Sequence, residues 1–165
     1  MKGDLRLETK LEEFDITKVI TEDLIDLNLK ATTKMEVIEE LTHLLYLNHC
    51  IDSEEGFIKD VLYREQEGVT GLEKGIAIPH GKSESVIKTT LAIGRTKQPV
   101  EWESLDDNPI NIILLFAVKT SDATTVHIKL LQKVATLLAD DEVLQSLQIV
   151  ETKQEVINLL SKNNE

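Results

Sequence analysis

The chain has 165 residues, of which 41% are hydrophobic and 29% are charged, with only 7 Gly and 3 Pro. A chain of this length buries about 70% of its unfolded surface without disulfides, so one globular domain is expected and the disordered and low-complexity classes are excluded. Eighteen basic residues against 30 acidic ones give a formal net charge of −12, which argues against a nucleic-acid partner because a polyanion would be repelled.

The sequence contains no pattern of a membrane span, a secretory signal or a disulfide. The longest apolar run, 112–118, is much shorter than the about 20 residues that cross a bilayer. Cys50 is the single cysteine and lacks an internal partner, and the first 13 residues are polar and acidic. We therefore expect a cytoplasmic protein that does not insert into a membrane.

The first half of the chain predicts one strand and two helices. We expect an N-terminal arm over residues 1–13 and the domain itself over residues 14–165. The loose alternation of residues 20–30 predicts a strand with one exposed face. Thr33 and Glu36 have the spacing of a capping box, which predicts a helix that begins at Thr33 and ends near residue 49.

A second helix is predicted from Asp52-Ser53-Glu54-Glu55 to Gly68, because acidic and capping residues precede its apolar positions and glycine follows them. Its apolar stripe is made by Phe57, Val61 and Arg64, so an arginine lies on the buried side. This Arg64 is either a cation that complements the helix end or a planar fork that recognises a dianion such as phosphate.

The second half predicts further strands that alternate with helices. Short strand 76–78 ends at Pro79 and His80, and strands 90–95 and 110–118 follow. The last of them is apolar on both faces, which predicts a central strand.

A helix capped by Asp122 or Thr124 runs through Leu138, and a last helix covers residues 152–160. This order predicts a single α/β domain with a mixed, mostly parallel sheet flanked by helices on both faces.

The four histidines differ in their predicted surroundings. His43 lies on the solvent face of the first helix, and His49 lies at its end. Neither belongs to a spacing that metal sites require, so we expect no metal. Pro79 fixes its own φ before His80, and Gly81 is expected to open the space around the ring, so His80 is either an exposed reactive imidazole or an ordinary loop histidine.

His127 begins a helix after the central strand, on the face shared with Leu130 and Val134. It is either a core histidine or a site residue, because ligands of open α/β sheets bind where strands end and helices begin. A helix N-terminus would keep it neutral and able to donate a hydrogen bond.

Familiar nucleotide motifs do not fit. Residues 75–83 look like a P-loop, but five residues separate its glycines and Pro79 lacks the N–H that such a loop needs. Hydrolase and dinucleotide motifs are likewise missing from the sequence, so no cofactor is predicted.

The sequence resembles the EIIA domain of the fructose/mannitol family of the phosphoenolpyruvate-dependent sugar phosphotransferase system, over about residues 14–160. The residues that carry the similarity are Arg64-Glu65, the loop Thr70-Gly71-Leu72, the string Gly75-Ile76-Ala77-Ile78-Pro79-His80 and the segment His127-Ile128-Lys129-Leu130-Leu131. Glu73-Lys74 and Ile128 depart mildly from the family pattern, but neither departure changes a residue that carries the chemistry.

The resemblance implies a phosphoryl relay. His80 would carry the phosphoryl group as a phosphohistidine, Arg64 would neutralise it, and His127 would be the second active-site histidine. The donor would be the phosphocarrier HPr and the acceptor an EIIB domain, in the service of sugar uptake. A rival implication is a regulatory protein of the nitrogen-related branch, which acts by binding its partners and is switched by phosphorylation.

Overall fold

The computed structural model describes residues 16–122 and 126–161. Its strands are β1 (Ile25–Leu29), β2 (Ile76–Ala77), β3 (His80–Ser83), β4 (Thr90–Val100) and β5 (Ile110–Lys119). Its α-helices are α1 (Lys34–Leu47), α2 (Glu54–Glu67), α3 (Val126–Leu138), α4 (Asp141–Ile149) and α5 (Lys153–Leu160). Short 3₁₀ helices lie at Ile16–Lys18, Glu22–Leu24 and Thr120–Asp122.

The sheet is mixed, and β5 is its central strand. The strand order is β1-β4-β5-β2, with β3 also paired to β5. β5 runs antiparallel to β4 and parallel to β2 and β3, while β1 runs parallel to β4. Parallel pairings therefore predominate, which confirms the predicted sheet and the central place of the apolar run in β5.

Helices cover both faces of this sheet, as predicted. The side chains of β5 alternate between the faces, so Leu114 and Phe116 pack with α3 to α5 while Ile113 and Leu115 pack with α1 and α2. The alternation divides the core into two apolar clusters, one on each side. No helix in the described ranges is both long and apolar enough to cross a membrane.

The predicted helix starts are confirmed in α1 and α2. The Thr33 hydroxyl accepts a hydrogen bond from the Glu36 N–H at 3.2 Å, and the Ser53 hydroxyl accepts one from the Gly56 N–H at 3.0 Å. The capping box is incomplete, because the Glu36 carboxylate accepts from the N–H and hydroxyl of Thr32 at 3.0 and 2.9 Å. Thr32 therefore takes the bond that the motif assigns to the cap residue.

Several element boundaries differ from the prediction. Residues 22–24 form a 3₁₀ turn, so β1 is shorter than expected, and β4 continues to Val100. No element was predicted for the segment 141–149, yet it forms α4. Asp140 caps this helix by accepting a hydrogen bond from the Glu142 N–H at 2.9 Å. The predicted cap Thr124 and the arm 1–13 lie outside the described residues, so the division at residue 14 stays a prediction.

The surroundings of Gly81 also differ from the prediction. A Cβ placed there would lie 2.8 Å from Val61 Cγ2 and 2.9 Å from Phe57 Cε1, both on α2. Gly81 therefore does not open space around the His80 ring. It allows α2 to pack closely on β3, which brings the end of α2 beside His80.

We expect Gly81→Ala to lower the free energy of unfolding by about 1 to 3 kcal/mol, the usual cost of overpacking a filled core. Gly68→Ala is the matched control, because the nearest atom to its added Cβ, Arg64 Nη1, would be 4.0 Å away. Urea denaturation of the two variants and the parent measures the difference. Equal midpoints for Gly81→Ala and the parent would contradict the close packing.

Candidate functional site

His80 is the first residue of β3 and lies directly beside the central strand. Its register partner is Phe116 of β5, whose N–H donates to the Pro79 carbonyl at 3.0 Å. The His80 ring is half-buried and meets the Phe116 ring edge-on, with centroids 6.4 Å apart. His80 follows a strand end, as predicted, but the alternative of an ordinary loop histidine is wrong, because the chain re-enters the sheet immediately after Pro79.

Two contacts determine which ring nitrogen of His80 carries the proton. Arg64 Nε lies 3.1 Å from His80 Nε2, and because a guanidinium only donates, Nε2 must present its lone pair. Nδ1 lies 3.3 Å from the Ile78 carbonyl oxygen, which only accepts. The neutral ring is therefore protonated on Nδ1 and nucleophilic on Nε2.

Arg64 reaches His80 from the last turn of α2. Phe57 and Val61, two turns and one turn earlier on the same face, are completely buried and align the helix along β3. The guanidinium also donates through Nη1 to the Gly68 carbonyl at 3.2 Å, just after the helix. Arg64 therefore makes the predicted helix-end contact and also reaches the His80 imidazole, whereas recognition of a dianion stays a prediction.

His127 is brought to the same place by the first turn of α3. Its ring centroid lies 5.3 Å from that of His80, and the ring planes are inclined by 54°. His127 is half-buried, and Leu130 and Val134 on the same helix face are buried against the sheet. The structure therefore brings together all three residues that the sequence singled out.

The environment favours the neutral form of His80. Burial lowers the pKa of His80 below the ordinary histidine value, and the charges of Arg64 and His127 lower it further. The Ile78 carbonyl and the Glu65 carboxylate raise this pKa without reversing the effect. An imidazole with a lowered pKa keeps its lone pair available at neutral and mildly acidic pH.

A buried carboxylate beside the site was given no role by the sequence reasoning. The Glu65 side chain is only 7% exposed and pairs with Lys34 Nζ at 2.7 Å. It also accepts a hydrogen bond from the Thr70 hydroxyl at 2.9 Å. The signal was the apolar spacing of Phe57 and Val61, which continues to position 65 as well as to 64.

The other singled-out residues lie away from this cluster. His43 is exposed and contacts a Glu54 carboxylate oxygen at 3.2 Å, and His49 is a left-handed residue after α1 with φ of 60°. Cys50 is buried and unbridged. In the part of the chain that the structure covers, no group of three or more His, Cys, Asp or Glu side chains is arranged to hold a metal ion.

The chain is similar to known proteins over most of its length. The fructose-specific EIIABC component of Bacillus subtilis is 32% identical over 149 residues, which cover 90% of this chain but only 23% of that protein. The chain thus spans less than a quarter of the length of that relative. The fructose-specific EIIA component of Haloferax volcanii is 29% identical over 148 residues, which cover 90% of this chain and 96% of that protein.

A solved structure extends the likeness to the fold. Nitrogen regulatory protein IIA-Ntr from Neisseria meningitidis superposes with a TM-score of 0.81 at 30% identity, over 88% of this chain and 98% of that one. The family model described as phosphoenolpyruvate-dependent sugar phosphotransferase system, EIIA 2, matches residues 18–163. The resemblance drawn from the sequence is confirmed, and the chain belongs to the EIIA 2 family of the phosphoenolpyruvate-dependent sugar phosphotransferase system.

Proposed function

We propose that this chain is a cytoplasmic phosphoryl relay protein, in which His80 accepts a phosphoryl group from phospho-HPr and passes it to an EIIB component for sugar uptake. The observation that carries the proposal is the neutral His80 ring, with Nδ1 on the Ile78 carbonyl and Nε2 beside the Arg64 guanidinium. Such a nitrogen is a nucleophile placed next to a fixed positive charge.

The proposed reaction is an in-line transfer between nitrogens. The lone pair of His80 Nε2 attacks phosphorus while the P–N bond to the donor histidine breaks, and the donor imidazole keeps the electron pair. Nδ1–H remains on the Ile78 carbonyl, which stabilises the positive charge that spreads over the phosphorylated ring. In the second step the nucleophile of EIIB attacks phosphorus and the bond to Nε2 breaks. Neither step calls for a nucleotide or a metal ion.

Arg64 makes a different contact before and after the transfer. In the resting site its Nε–H occupies the lone pair of His80 Nε2, so it must move aside as phosphorus approaches. The same donor can then bond a phosphoryl oxygen. A charge pair about 4 Å apart is worth about 4 kcal/mol at an effective dielectric of about 20, enough to favour the phosphorylated form strongly. His127, 5.3 Å away between ring centroids, would donate to the same group.

The segments that carry the site residues also expose large apolar side chains. Each of three such side chains is next in sequence to Arg64, to His127 or to Gly68, whose carbonyl accepts from Arg64. They are Tyr63, Val69 and Ile128. Exposed Lys82 lies on the same face of β3 as His80 and adds a positive charge. Their exposure supports a protein partner, because docking would remove these apolar surfaces from water.

Incubation with phosphoenolpyruvate, the general phosphotransferase-system enzyme and HPr should add one acid-labile phosphate to the parent chain. His80→Ala should remain unlabelled, because it lacks the Nε2 lone pair. Mass spectrometry of the intact chains, with His43→Ala as a surface-histidine control, measures the result. Full labelling of folded His80→Ala would refute the assignment.

Arg64→Lys should fold like the parent and transfer phosphate more slowly, because lysine keeps the charge but loses the planar fork that reaches both His80 and Gly68. Arg64→Ala should be slower still, by about a hundredfold, a common cost of losing one electrostatic contact to the transferred group. Rapid-quench single turnovers from phospho-HPr give these rates. If Arg64→Ala transferred phosphate at the parental rate, the role of Arg64 would be limited to its contact at the end of the helix.

For His127 we expect Gln to retain more transfer activity than Ala, because a neutral donor at this place matters more than basicity. Both variants should still be labelled on His80, only more slowly. Thermal midpoints measured beside the single-turnover rates separate the two predicted roles. If His127→Ala lost stability without losing rate, His127 would be a core histidine.

A regulatory role is favoured by one observation, the overlap with the nitrogen regulatory IIA-Ntr structure over 98% of that chain. In that case His80 would be labelled equally well, and phosphorylation would switch the binding of a partner instead of feeding sugar uptake. Transfer from the labelled chain to a purified fructose-type EIIB domain distinguishes the two functions. Rapid loss of label supports the relay, and a stable label supports regulation.

A further inference from the structure

Four side chains from three separate parts of the sequence form a closed ring beside the site. Lys34 Nζ lies 2.7 Å from Glu65 Oε1, which also accepts from the Thr70 hydroxyl at 2.9 Å. The Trp102 indole N–H donates to Thr70 Oγ1 at 3.3 Å, and Lys34 Nζ lies 4.9 Å from the centroid of the Trp102 ring. We call this arrangement, made by Lys34, Glu65, Thr70 and Trp102, the Glu65 ring.

The Glu65 ring is buried, so its polar contacts are stronger than surface contacts of the same kind. Glu65, Thr70 and Trp102 are almost inaccessible to solvent, and Lys34 is about one third exposed. A carboxylate in this position is costly without a counter-charge, and Lys34 supplies it. The indole face adds a cation–π contact to the same ammonium group. The four side chains therefore hold one another in a single arrangement.

One arm of the Glu65 ring leads to Arg64. Glu65 follows Arg64 in the last turn of α2, so fixing its carboxylate fixes the position and rotation of that turn. Arg64 in turn donates to the carbonyl of Gly68, which lies only two residues before Thr70. The helix end and the start of the following loop are thus tied together twice, by the Thr70 hydroxyl on Glu65 Oε1 and by Arg64 Nη1 on the Gly68 carbonyl.

The other arm leads to His80. The Thr70 carbonyl accepts from the Ile78 N–H at 2.9 Å, and the Ile78 carbonyl faces His80 Nδ1 at 3.3 Å. The loop is also held from outside, since the Leu105 N–H donates to the Gly71 carbonyl at 3.2 Å. Both partners of the Arg64–His80 contact are therefore connected to the same four side chains.

We propose that Glu65 is a positioning residue for phosphoryl transfer. Through the Glu65 ring it holds the Arg64 guanidinium and the His80 ring in fixed positions relative to each other. The inference rests on the proposed function of His80. Lys34 also neutralises the Glu65 carboxylate, which would otherwise compete for Arg64 and repel the phosphoryl dianion. Thr70 transmits the arrangement to the strand that carries His80.

The test compares Glu65→Gln and Thr70→Val with the parent and with Glu67→Gln, an exposed glutamate on the same helix end. Thr70→Val keeps the side-chain shape and the charge but removes both hydrogen bonds of the hydroxyl. Because a misplacement of about 1 Å can cost about a hundredfold in rate, we expect Thr70→Val and Glu65→Gln to slow single-turnover transfer about tenfold or more. The phospho-HPr concentration for half-maximal rate should stay unchanged, and Glu67→Gln should transfer like the parent.

A second readout separates positioning from charge. The charged groups that face His80 are Arg64 and Glu65 on α2 and His127 on α3. The Glu65 carboxylate raises the pKa of His80, so Glu65→Gln should lower this pKa when ring protons are titrated by NMR. Thr70→Val removes no charge and should slow transfer with little change in the pKa.

Parental transfer by folded Thr70→Val would overturn the proposal, even if Glu65→Gln were slow, because the effect of Glu65 would then be one of charge alone. A slow Thr70→Val with an unchanged pKa of His80 and a parental Glu67→Gln would support it. Thermal midpoints identify any variant that fails to fold. If Thr70→Val does so, Trp102→Phe replaces it, because it removes the indole N–H bonded to Thr70 Oγ1 without a change of charge, and parental transfer by this variant would likewise overturn the proposal. Failure of the proposed function itself has a different signature, which is label on a residue other than His80 in the parent chain.

Discussion

The contact between Arg64 Nε and His80 Nε2 is the interaction on which the site depends. A guanidinium cannot accept a proton or a hydrogen bond, so its presence at 3.1 Å assigns the lone pair of His80 to Nε2. The Ile78 carbonyl, 3.3 Å from Nδ1, makes the same assignment from the other side of the ring. One imidazole is thereby held in a single protonation state by one side chain and one backbone group.

The fold supplies this contact by bringing α2 and β3 together. Phe57 and Val61 leave no room for a side chain at Gly81, so the helix lies directly against the strand. The last turn of α2 then ends beside His80, where the Arg64 guanidinium reaches the imidazole. Close packing of the core at Gly81 thus determines that the Arg64 guanidinium can contact His80.

Positive charge and a neutral nucleophile coexist here because burial and Coulomb effects act together. Burial lowers the pKa of His80, and Arg64 lowers it further. A protonated His80 would repel Arg64, whereas a phosphorylated one would attract it. The same cation therefore disfavours the inactive charged ring and stabilises the proposed phosphohistidine. Glu65, paired with Lys34 at 2.7 Å, lies behind this arrangement without cancelling it.

Local sequence patterns were enough to predict the class of fold and to single out the three side chains of the candidate site. The apolar run of β5 predicted a buried central strand, because only a strand covered on both faces lacks polar alternation. Arg64, His80 and His127 stood out because each is a polar group at a position that local patterning marks as buried or as a strand or helix end. These are local properties, and a single sequence contains them.

Which of these groups come into contact, and at what distances, depends on the folded chain. The strand β3 depends on pairing with β5, and the short segment His80–Ser83 has no pattern of its own that would reveal it. The close packing at Gly81 and the Glu65 ring join residues far apart in the chain, as the 32-residue separation of Trp102 and Thr70 shows. Contacts of this kind follow from the folded arrangement of neighbours, so spacing along the chain does not contain them.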